Sequence, residues 1–560
     1  MEEIPEKPDP PADIGAAGLT YIFGPSYSCN ILTGLHPPPD RIPVYWRLYK
    51  DNCDVLIKVL HIPTVEPLVL QAAEQLDSIS KGVETLMFAT YFSVVVSLSP
   101  GACMEILGGE KSHLLCTYKF AMEQALAQAR LLETEEMIVL QAFVIYLIGL
   151  RTQCSIRLMW TLTALAVRLA QNAGIHRDGS HFNLSPFTVE MRRRLWWCLC
   201  VLDCRASEDS GYDAAIPREG ADTQLPLNVN DSDLFPSMTA LPEPKSGLTE
   251  MTFSVVRFDA TRTFRRLQYA QAGTIGRCGK FHASQSITEK SQLILEHQER
   301  LQELFLKHRN PSNPFCWYVE AISGIVITKM WLVAYHPYLR RESCTALSQD
   351  TRNSLFIGSI SILETWLRLN NEVQTRKWRW LCETYIQWYA ITFVLTELCI
   401  RTQGELVERA WKAIYAALQL GSRAWRVPSV SSQIHEAEFG QYLDLDETHD
   451  NEYKPLNRLL RKARAARDRE ISLDWNGDCG VIGDTMRSTL NTANVVPVLD
   501  ESLDPHSVRF NDYGLEVQVS MPDACPPHQL PEIYPGTFNT RYPTFDGEAS
   551  NWISWPNFLE

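Results

Sequence analysis

The sequence lacks the cysteine spacing of a metal-binding or disulfide-rich domain. Its 560 residues include 15 cysteines, but these are scattered, and they form only one cluster, at Cys198, Cys200 and Cys204. On a helix Cys200 and Cys204 share a face and Cys198 does not, whereas a zinc ion needs four convergent ligands. The pattern therefore favours free, mostly buried thiols in an intracellular chain over a metal site.

Positive charge and long apolar runs are also scarce. A net charge of −14 argues against the chain as a whole being a general nucleic-acid binder, because polyanions attract basic surfaces. The first residues, MEEIPEKPDPPAD, are acidic and rich in proline, unlike a signal peptide. Of the longest apolar runs, residues 137–150 are too short to span a bilayer and residues 385–400 are interrupted by polar side chains. We expect no membrane association.

The sequence contains no glycine-rich phosphate loop, nucleophile elbow or DDxxD box. Asp178, Ser180 and His181 lie too close together in sequence to be interpreted as a catalytic triad. A helical enzyme that binds magnesium is the more serious alternative, because several oxygen ligands could come from one acidic stretch. Convergence of Asp203, Asp209 and Asp231 in one cavity would favour that enzyme. The stretch comprises Asp203, Glu208, Asp209, Asp213, Asn228, Asp231 and Asp233.

What the sequence does contain is helical periodicity. From about residue 43 to residue 426, apolar side chains recur at spacings of three and four, which predicts an all-α fold. Pro311 and Pro314 separate two of the predicted helices. The clearest helices are predicted at residues 135–150, 159–173, 190–203, 288–307, 317–335, 353–369 and 384–402.

The stretch from Trp160 to Leu234 is the most informative part of the sequence. It predicts two helices joined by a loop, with the first ending at Gly174 and the second running from Ser185-Pro186 to before Gly211. On the second helix, Glu190 and Arg194 lie one turn apart and can form an ion pair. The three consecutive arginines at 192–194 point in different directions around the helix. This arrangement favours salt bridges to neighbouring segments over a flat phosphate-binding stripe.

This order of features resembles the central motif of the fungal-specific transcription factor domain, the regulatory region of zinc binuclear-cluster transcription factors. The resemblance extends, more weakly, over residues 20–425. It implies a large helical regulatory domain, no catalysis and a place in the nucleus. The partners to expect are DNA, transcriptional coactivators and a second copy of the chain. The matching features are Ala170 to Asp178, Glu190 followed by the arginines and Trp197, Asp203, and the closing Leu225-Pro226, Asn228, Asp231, Asp233 and Leu234.

The resemblance also implies a six-cysteine cluster with two zinc ions ahead of the helical region, and this sequence has none. Cys29 stands alone, and its nearest neighbour is Cys53. Zinc is therefore expected as a cofactor only if such a cluster precedes the chain. Two interpretations stay open: the gene model begins too late, or the protein is a co-regulator that reaches DNA through a partner.

The C-terminal part changes character twice. Residues 454–470 are predicted to form a basic amphipathic helix. Such a helix can be a solvated face over the core, the interpretation that the pattern favours, a helix that binds a partner, or a nuclear-import patch, for which Arg461, Lys462 and Arg464 are the candidate residues. Residues 471–560 contain thirteen Asp or Glu, three Arg and no Lys, a net charge of −13 + 3 = −10, with interspersed aromatic residues. This composition predicts a disordered acidic tail, which is either an activation segment or an inert solvated tail, and the family resemblance favours activation. Its candidate coactivator contacts are Trp552, Trp555 and Phe558.

These patterns predict five segments and one function. The segments are an N-terminal extended segment (1–40), the helical regulatory domain (41–425), an acidic linker (426–453), the basic helix (454–470) and the tail (471–560). The predicted function is transcriptional regulation, as an activator of pathway genes such as a secondary-metabolite cluster. A helical enzyme that reuses the fold and a co-regulator deficient in DNA binding are the alternatives.

Overall fold

A computed structural model describes residues 30–217, 220–268, 286–310, 312–335, 347–424 and 454–478. Within these ranges the chain is built from α-helices, short 3₁₀ and π turns and loops, without a strand. The predicted all-α fold is confirmed. The predicted linker and nearly all of the predicted tail lie outside the described residues.

The described residues fall into two compact units. The first comprises the residues up to 335 together with 365–386 and 420–424, and the second comprises 347–364, 387–419 and 454–478. The helices are α1 (Asn30–Thr33), α2 (Ile42–Tyr49), α3 (Ile62–Glu74), α4 (Lys81–Ser97), α5 (Pro100–Ala102), α6 (Lys111–Gln128), α7 (Met137–Leu150), α8 (Ile156–Asn172), α9 (Pro186–Ser210), α10 (Thr252–Gln268), α11 (Ile287–Leu304), α12 (Pro314–Tyr335), α13 (Gln349–Asn371), α14 (Arg379–Glu383), α15 (Trp388–Leu398), α16 (Glu405–Ala424) and α17 (Lys454–Asp478).

The core of the first unit is centred on α4. This helix is apolar on every side, so it can be stable in water only when neighbouring helices surround it. It packs against α6 and α7, and Phe88, Phe92 and Tyr146 are among the largest fully buried side chains. The rings of Phe92 and Tyr146 meet edge to face, with centroids 5.1 Å apart.

The two predicted helices of the central stretch are α8 and α9. Ser155 caps α8 by accepting a hydrogen bond from the Leu158 amide, and Gly174 follows in the left-handed conformation with φ 67°. Ser185 caps α9 in the same way through the Thr188 amide, with Pro186 at the first helical position. Gly211, with φ 70°, ends α9, because a left-handed residue is easiest to form without a Cβ. The predicted start and end of this helix are confirmed.

Helix α12 begins at Pro314, which confirms that the prolines separate it from α11. Among the described residues it is the one helix long and apolar enough to cross a membrane by length and composition, a property that the apolar-run analysis missed. Within its most apolar stretch, 61% is buried inside the protein, as is typical of a core helix. It packs against α10 and α11 within the first unit.

In the second unit, α17 packs against α15. The helix begins at Lys454, as the composition predicts, and continues to Asp478, eight residues beyond the predicted boundary at 470. The helix predicted at residues 384–402 is shorter, because Thr384 and Tyr385 form turns onto Leu381 and Cys382 and α15 begins only at Trp388. This break takes Tyr385 out of a regular helix.

Candidate functional site: a buried ion-pair network and an arginine-lined cleft

The arginines of α9 are turned toward the protein interior. Arg193 binds Asp178 through two parallel hydrogen bonds, Nε to Oδ2 at 2.8 Å and Nη2 to Oδ1 at 2.9 Å. Arg192 donates to the carbonyl of Ala173, 2.9 Å away. Because Arg193 and Arg194 are buried, these side chains hold neighbouring segments in place, as the sequence predicts, and do not form an exposed phosphate-binding stripe.

Asp178 joins the loop after α8 to α9 and to Gln224, the residue just before the closing segment (residues 225–234). Its carboxylate also accepts hydrogen bonds from the Ser180 amide and hydroxyl and from the Gln224 amide, at 3.2, 2.7 and 2.9 Å. Burial alone would raise the pKa of Asp178, but Arg193 and these donors outweigh it and hold the pKa well below its usual range. Ser180 binds Asp178 directly, so Asp178, Ser180 and His181 do not form a relay in which a histidine activates the serine.

A second, fully buried network surrounds Arg194. Its guanidinium contacts Glu190 one turn earlier, Nε to Oε1 at 3.3 Å, and Asp231 in the closing segment, Nη1 to Oδ1 at 2.8 Å. The predicted pairing of Glu190 with Arg194 is confirmed. Asp231 also pairs with Lys58 at 2.8 Å, and Lys58 pairs with Asp54 at 2.6 Å.

This network joins segments that lie far apart in the chain. The Ile62 amide, at the start of α3, donates to Asp231 at 2.9 Å, and the Leu227 amide donates to Glu190 at 3.3 Å. Sequence reasoning missed the contributions of Asp54 and Lys58. The available signal was their spacing of four residues within an otherwise apolar stretch.

The buried network holds more acids than bases, and the pKa values reflect this. Lys58 and Arg194 face the three buried carboxylates of Asp54, Glu190 and Asp231. Burial raises the pKa of Asp54 to about 6, although Lys58 opposes the shift. Burial would also raise the pKa of Asp231, but Arg194 and Lys58 lower it to about 2.

The carboxylates of the magnesium-enzyme alternative have separate partners. Asp203 accepts hydrogen bonds from the Ala215 and Ile216 amides, each at 2.8 Å, and so fixes the loop after α9. Asp209 pairs with Arg151, and Asp231 belongs to the network described above. Asp203, Asp209 and Asp231 therefore do not converge, and the part of the chain that the structure describes contains no group of His, Cys, Asp or Glu side chains arranged to hold a metal ion.

The cysteines of α9 are buried among these groups. Burial raises the pKa of Cys198 and of Cys200 to about 12 and that of Cys204 to about 11. The sulfur of Cys200 lies 3.3 Å from Nη1 of Arg265, and Cys198 lines a cleft. As small, neutral side chains they contribute packing and weak polar contacts.

This cleft lies in the first unit between α7, α9, α10 and the turn after α14. It encloses about 390 Å³, including the space open to solvent. Its walls include the apolar side chains of Ile57, Ile148 and Phe258 and three arginines, Arg151, Arg205 and Arg257.

The three arginines surround the ring of Tyr385. Their guanidinium carbons lie 5.4, 4.3 and 6.0 Å from the ring centroid for Arg151, Arg205 and Arg257, respectively. Arg257 also donates to the Tyr385 hydroxyl at 2.8 Å. Burial alone would raise the pKa of Tyr385, but these three cations outweigh it and lower the pKa. The cleft is therefore electropositive.

The candidate import residues lie on α17. Arg461 and Lys462 are exposed, whereas Arg464 is half-buried, with its guanidinium carbon 5.5 Å from the ring centroid of Tyr415. The opposite side of the helix buries Leu460 and Ala463. Trp552, Trp555 and Phe558 lie outside the described residues.

Comparison with known sequences matches part of the chain to one family. Residues 47–258 match the family described as "Fungal specific transcription factor domain". This range contains α9, the closing segment and every residue of the buried network. Residues 47–258 are therefore similar to a fungal specific transcription factor domain, as the order of the sequence features indicates.

The chain is similar to several fungal regulators. The chain is 29% identical to the aurofusarin cluster transcription factor aurR2 of Gibberella zeae over 66% of its own length and 54% of that protein. It is 29% identical to the transcriptional regulator AacuB of Aspergillus aculeatus, over 70% and 53%, respectively. It is 28% identical to the pyriculol/pyriculariol biosynthesis cluster transcription factor 1 of Pyricularia oryzae, over 73% and 54%. The chain thus matches about half the length of each of these relatives.

Proposed function

We propose that the protein is a transcriptional regulator of a biosynthetic gene cluster. The observation that carries this proposal is the match of residues 47–258 to the transcription factor domain. Relatives named as regulators of aurofusarin and pyriculol/pyriculariol clusters support the kind of target. The buried networks support a structural role for the domain, since they hold α3, α9 and the closing segment in one fixed arrangement.

A non-catalytic role fits the polar groups of this domain. Asp178, Asp203 and Asp231 are each engaged by protein donors, which leaves them as structural anchors. In our proposal the domain carries and regulates other functional segments. DNA is reached either through a zinc cluster that precedes this sequence or through a partner that carries its own DNA-binding module.

We further propose that the protein acts in the nucleus as an activator. The acidic, aromatic composition of the tail supports activation, with Trp552, Trp555 and Phe558 as the contacts for a coactivator. The test joins the full chain to an unrelated DNA-binding module and measures reporter output in a fungal host. Replacing the three aromatics by alanine should reduce the output strongly, whereas replacing Phe510 and Tyr513 should reduce it less. Output equal to that of the DNA-binding module alone contradicts the activator role.

Nuclear import through α17 is a separate proposal. The exposure of Arg461 and Lys462 supports it, because an import receptor needs accessible basic side chains. A fluorescent fusion of the full chain should lose nuclear enrichment in the double variant Arg461→Ala, Lys462→Ala. The matched control is Arg376→Ala, Lys377→Ala, an exposed basic pair elsewhere. Unchanged localisation of the α17 variant contradicts the assignment.

A further inference from the structure

The arginine-lined cleft contains hydrogen-bond donors that the protein does not use. Arg257 donates to the Leu56 carbonyl at 3.0 Å and to the Tyr385 hydroxyl at 2.8 Å, which occupies two of its five N–H donors. The Nε of Arg205 is buried, and it has no hydrogen-bond partner among the described residues. An unmet buried donor is costly, so an acceptor at this place would be stabilising.

The side chains at the cleft also carry an excess of positive charge. Arg151 and Arg205 are compensated by Asp209 and Glu208, and Glu208 is shared with Lys329. Arg257 has no carboxylate partner in the part of the chain that the structure describes; its recorded contacts are a carbonyl, a hydroxyl and aromatic rings. The ligand that suits these donors is therefore an anion.

The remaining walls restrict the kind of anion. Ile57, Ile148 and Phe258 present apolar surface beside the guanidinium groups. An inorganic anion would leave this surface to water, whereas an organic acid can cover it with its hydrocarbon part. The cleft encloses only about 390 Å³, including the space open to solvent, so a ligand of this kind must be small.

We propose that this cleft binds a small organic acid, whose carboxylate is held by Arg205 and Arg257 and whose apolar body lies against Ile57, Ile148 and Phe258. Arginine suits this role because its planar fork matches the two oxygens of a carboxylate. The Tyr385 hydroxyl lies beside the same fork and contributes a further polar contact. The proposal concerns ligand binding alone and does not depend on the proposed function in transcription.

The test is isothermal titration of the purified full chain with benzoate, in a buffer free of chloride. Benzamide, which has the same shape without the charge, is the ligand control. We expect benzoate to bind and benzamide to bind at least tenfold more weakly, roughly the share of a charge-assisted hydrogen bond. Equal binding of the two ligands, or no binding of benzoate at millimolar concentrations, overturns the proposal and leaves a cleft that holds water.

Two variants assign the site. Arg257→Gln should raise the dissociation constant of benzoate by about 10- to 100-fold, while Tyr385→Phe, which keeps the ring, should raise it by about 2- to 10-fold. Arg352→Gln removes a half-buried arginine that pairs with Glu397 in the second unit, and it should leave binding unchanged. If Tyr385→Phe and Arg257→Gln both bind benzoate as tightly as the unmodified chain, the acid binds elsewhere and the assignment fails.

Discussion

Replacing Arg194 by methionine should destabilise the domain more than almost any other single change. Arg194 is fully buried and is the cation between Glu190 and Asp231. Without it, Glu190 would lose its ion-pair partner and Lys58 would be the one cation left to Asp54 and Asp231 among the buried residues of the network. Removing one partner from a buried pair typically costs about 3–5 kcal/mol, because the remaining charge is left uncompensated. We expect a loss of that size in the free energy of unfolding.

Hydrogen exchange read by mass spectrometry localises this effect. The amides of Ile62 and Leu227 donate to Asp231 and Glu190, so their exchange should accelerate by about two to four orders of magnitude in Arg194→Met, the factor that about 3–5 kcal/mol implies. Combining the change with Glu190→Gln should cost less than the sum of the two single variants, since the double variant removes an acid together with its base. A decrease in the free energy of unfolding below about 1 kcal/mol, or exchange unchanged at both amides, would refute the claim that this network stabilises the domain.

Three further predictions follow from the same contacts. Burial raises the pKa of Asp54 in the folded state to about 6, so between about pH 4 and pH 6 the folded protein keeps a proton on this carboxylate that the unfolded chain has lost. The contribution of Asp54 to the free energy of unfolding therefore falls as the pH rises through this range. Asp54→Asn should abolish this pH dependence, measured by urea titrations at several pH values. Asp203→Ala should cost about 1–3 kcal/mol and expose the loop after Gly211 to limited proteolysis, because two amides lose their acceptor; a cleavage rate equal to that of the unmodified chain contradicts it. In the native protein at pH 8, iodoacetamide should label the exposed Cys116 and spare the buried Cys198, and equal labelling by peptide mass spectrometry would contradict the burial.

Local features of the fold were predictable from the sequence because their causes are local. The Ser185 cap, Pro186 and Gly211 define α9 through backbone geometry that each residue prefers by itself. The pairing of Glu190 with Arg194 needs only helical spacing. Periodicity likewise predicts the all-α class, because each helix must bury one face.

Long-range contacts were not predictable in the same way. Nothing in the sequence near Arg194 identifies Asp231 as its partner, or Lys58 as a second partner of Asp231, since tertiary packing alone brings each cation within 2.8 Å of the Asp231 carboxylate. The cleft also depends on contacts between segments that are distant in sequence. Tyr385 joins Arg257 only because the chain leaves the helical path before Trp388, where apolar periodicity predicts a continuous helix.

The central claim, regulation of a biosynthetic gene cluster, is tested most directly by transcript sequencing in the source organism. The comparison is between the parent strain and strains in which the gene is deleted, or deleted and complemented by the full-length gene. If the protein regulates such a cluster, transcripts of one contiguous set of biosynthetic genes fall on deletion and recover on complementation. Transcript levels that are unchanged across all biosynthetic clusters, under conditions in which this gene is itself expressed, would contradict it.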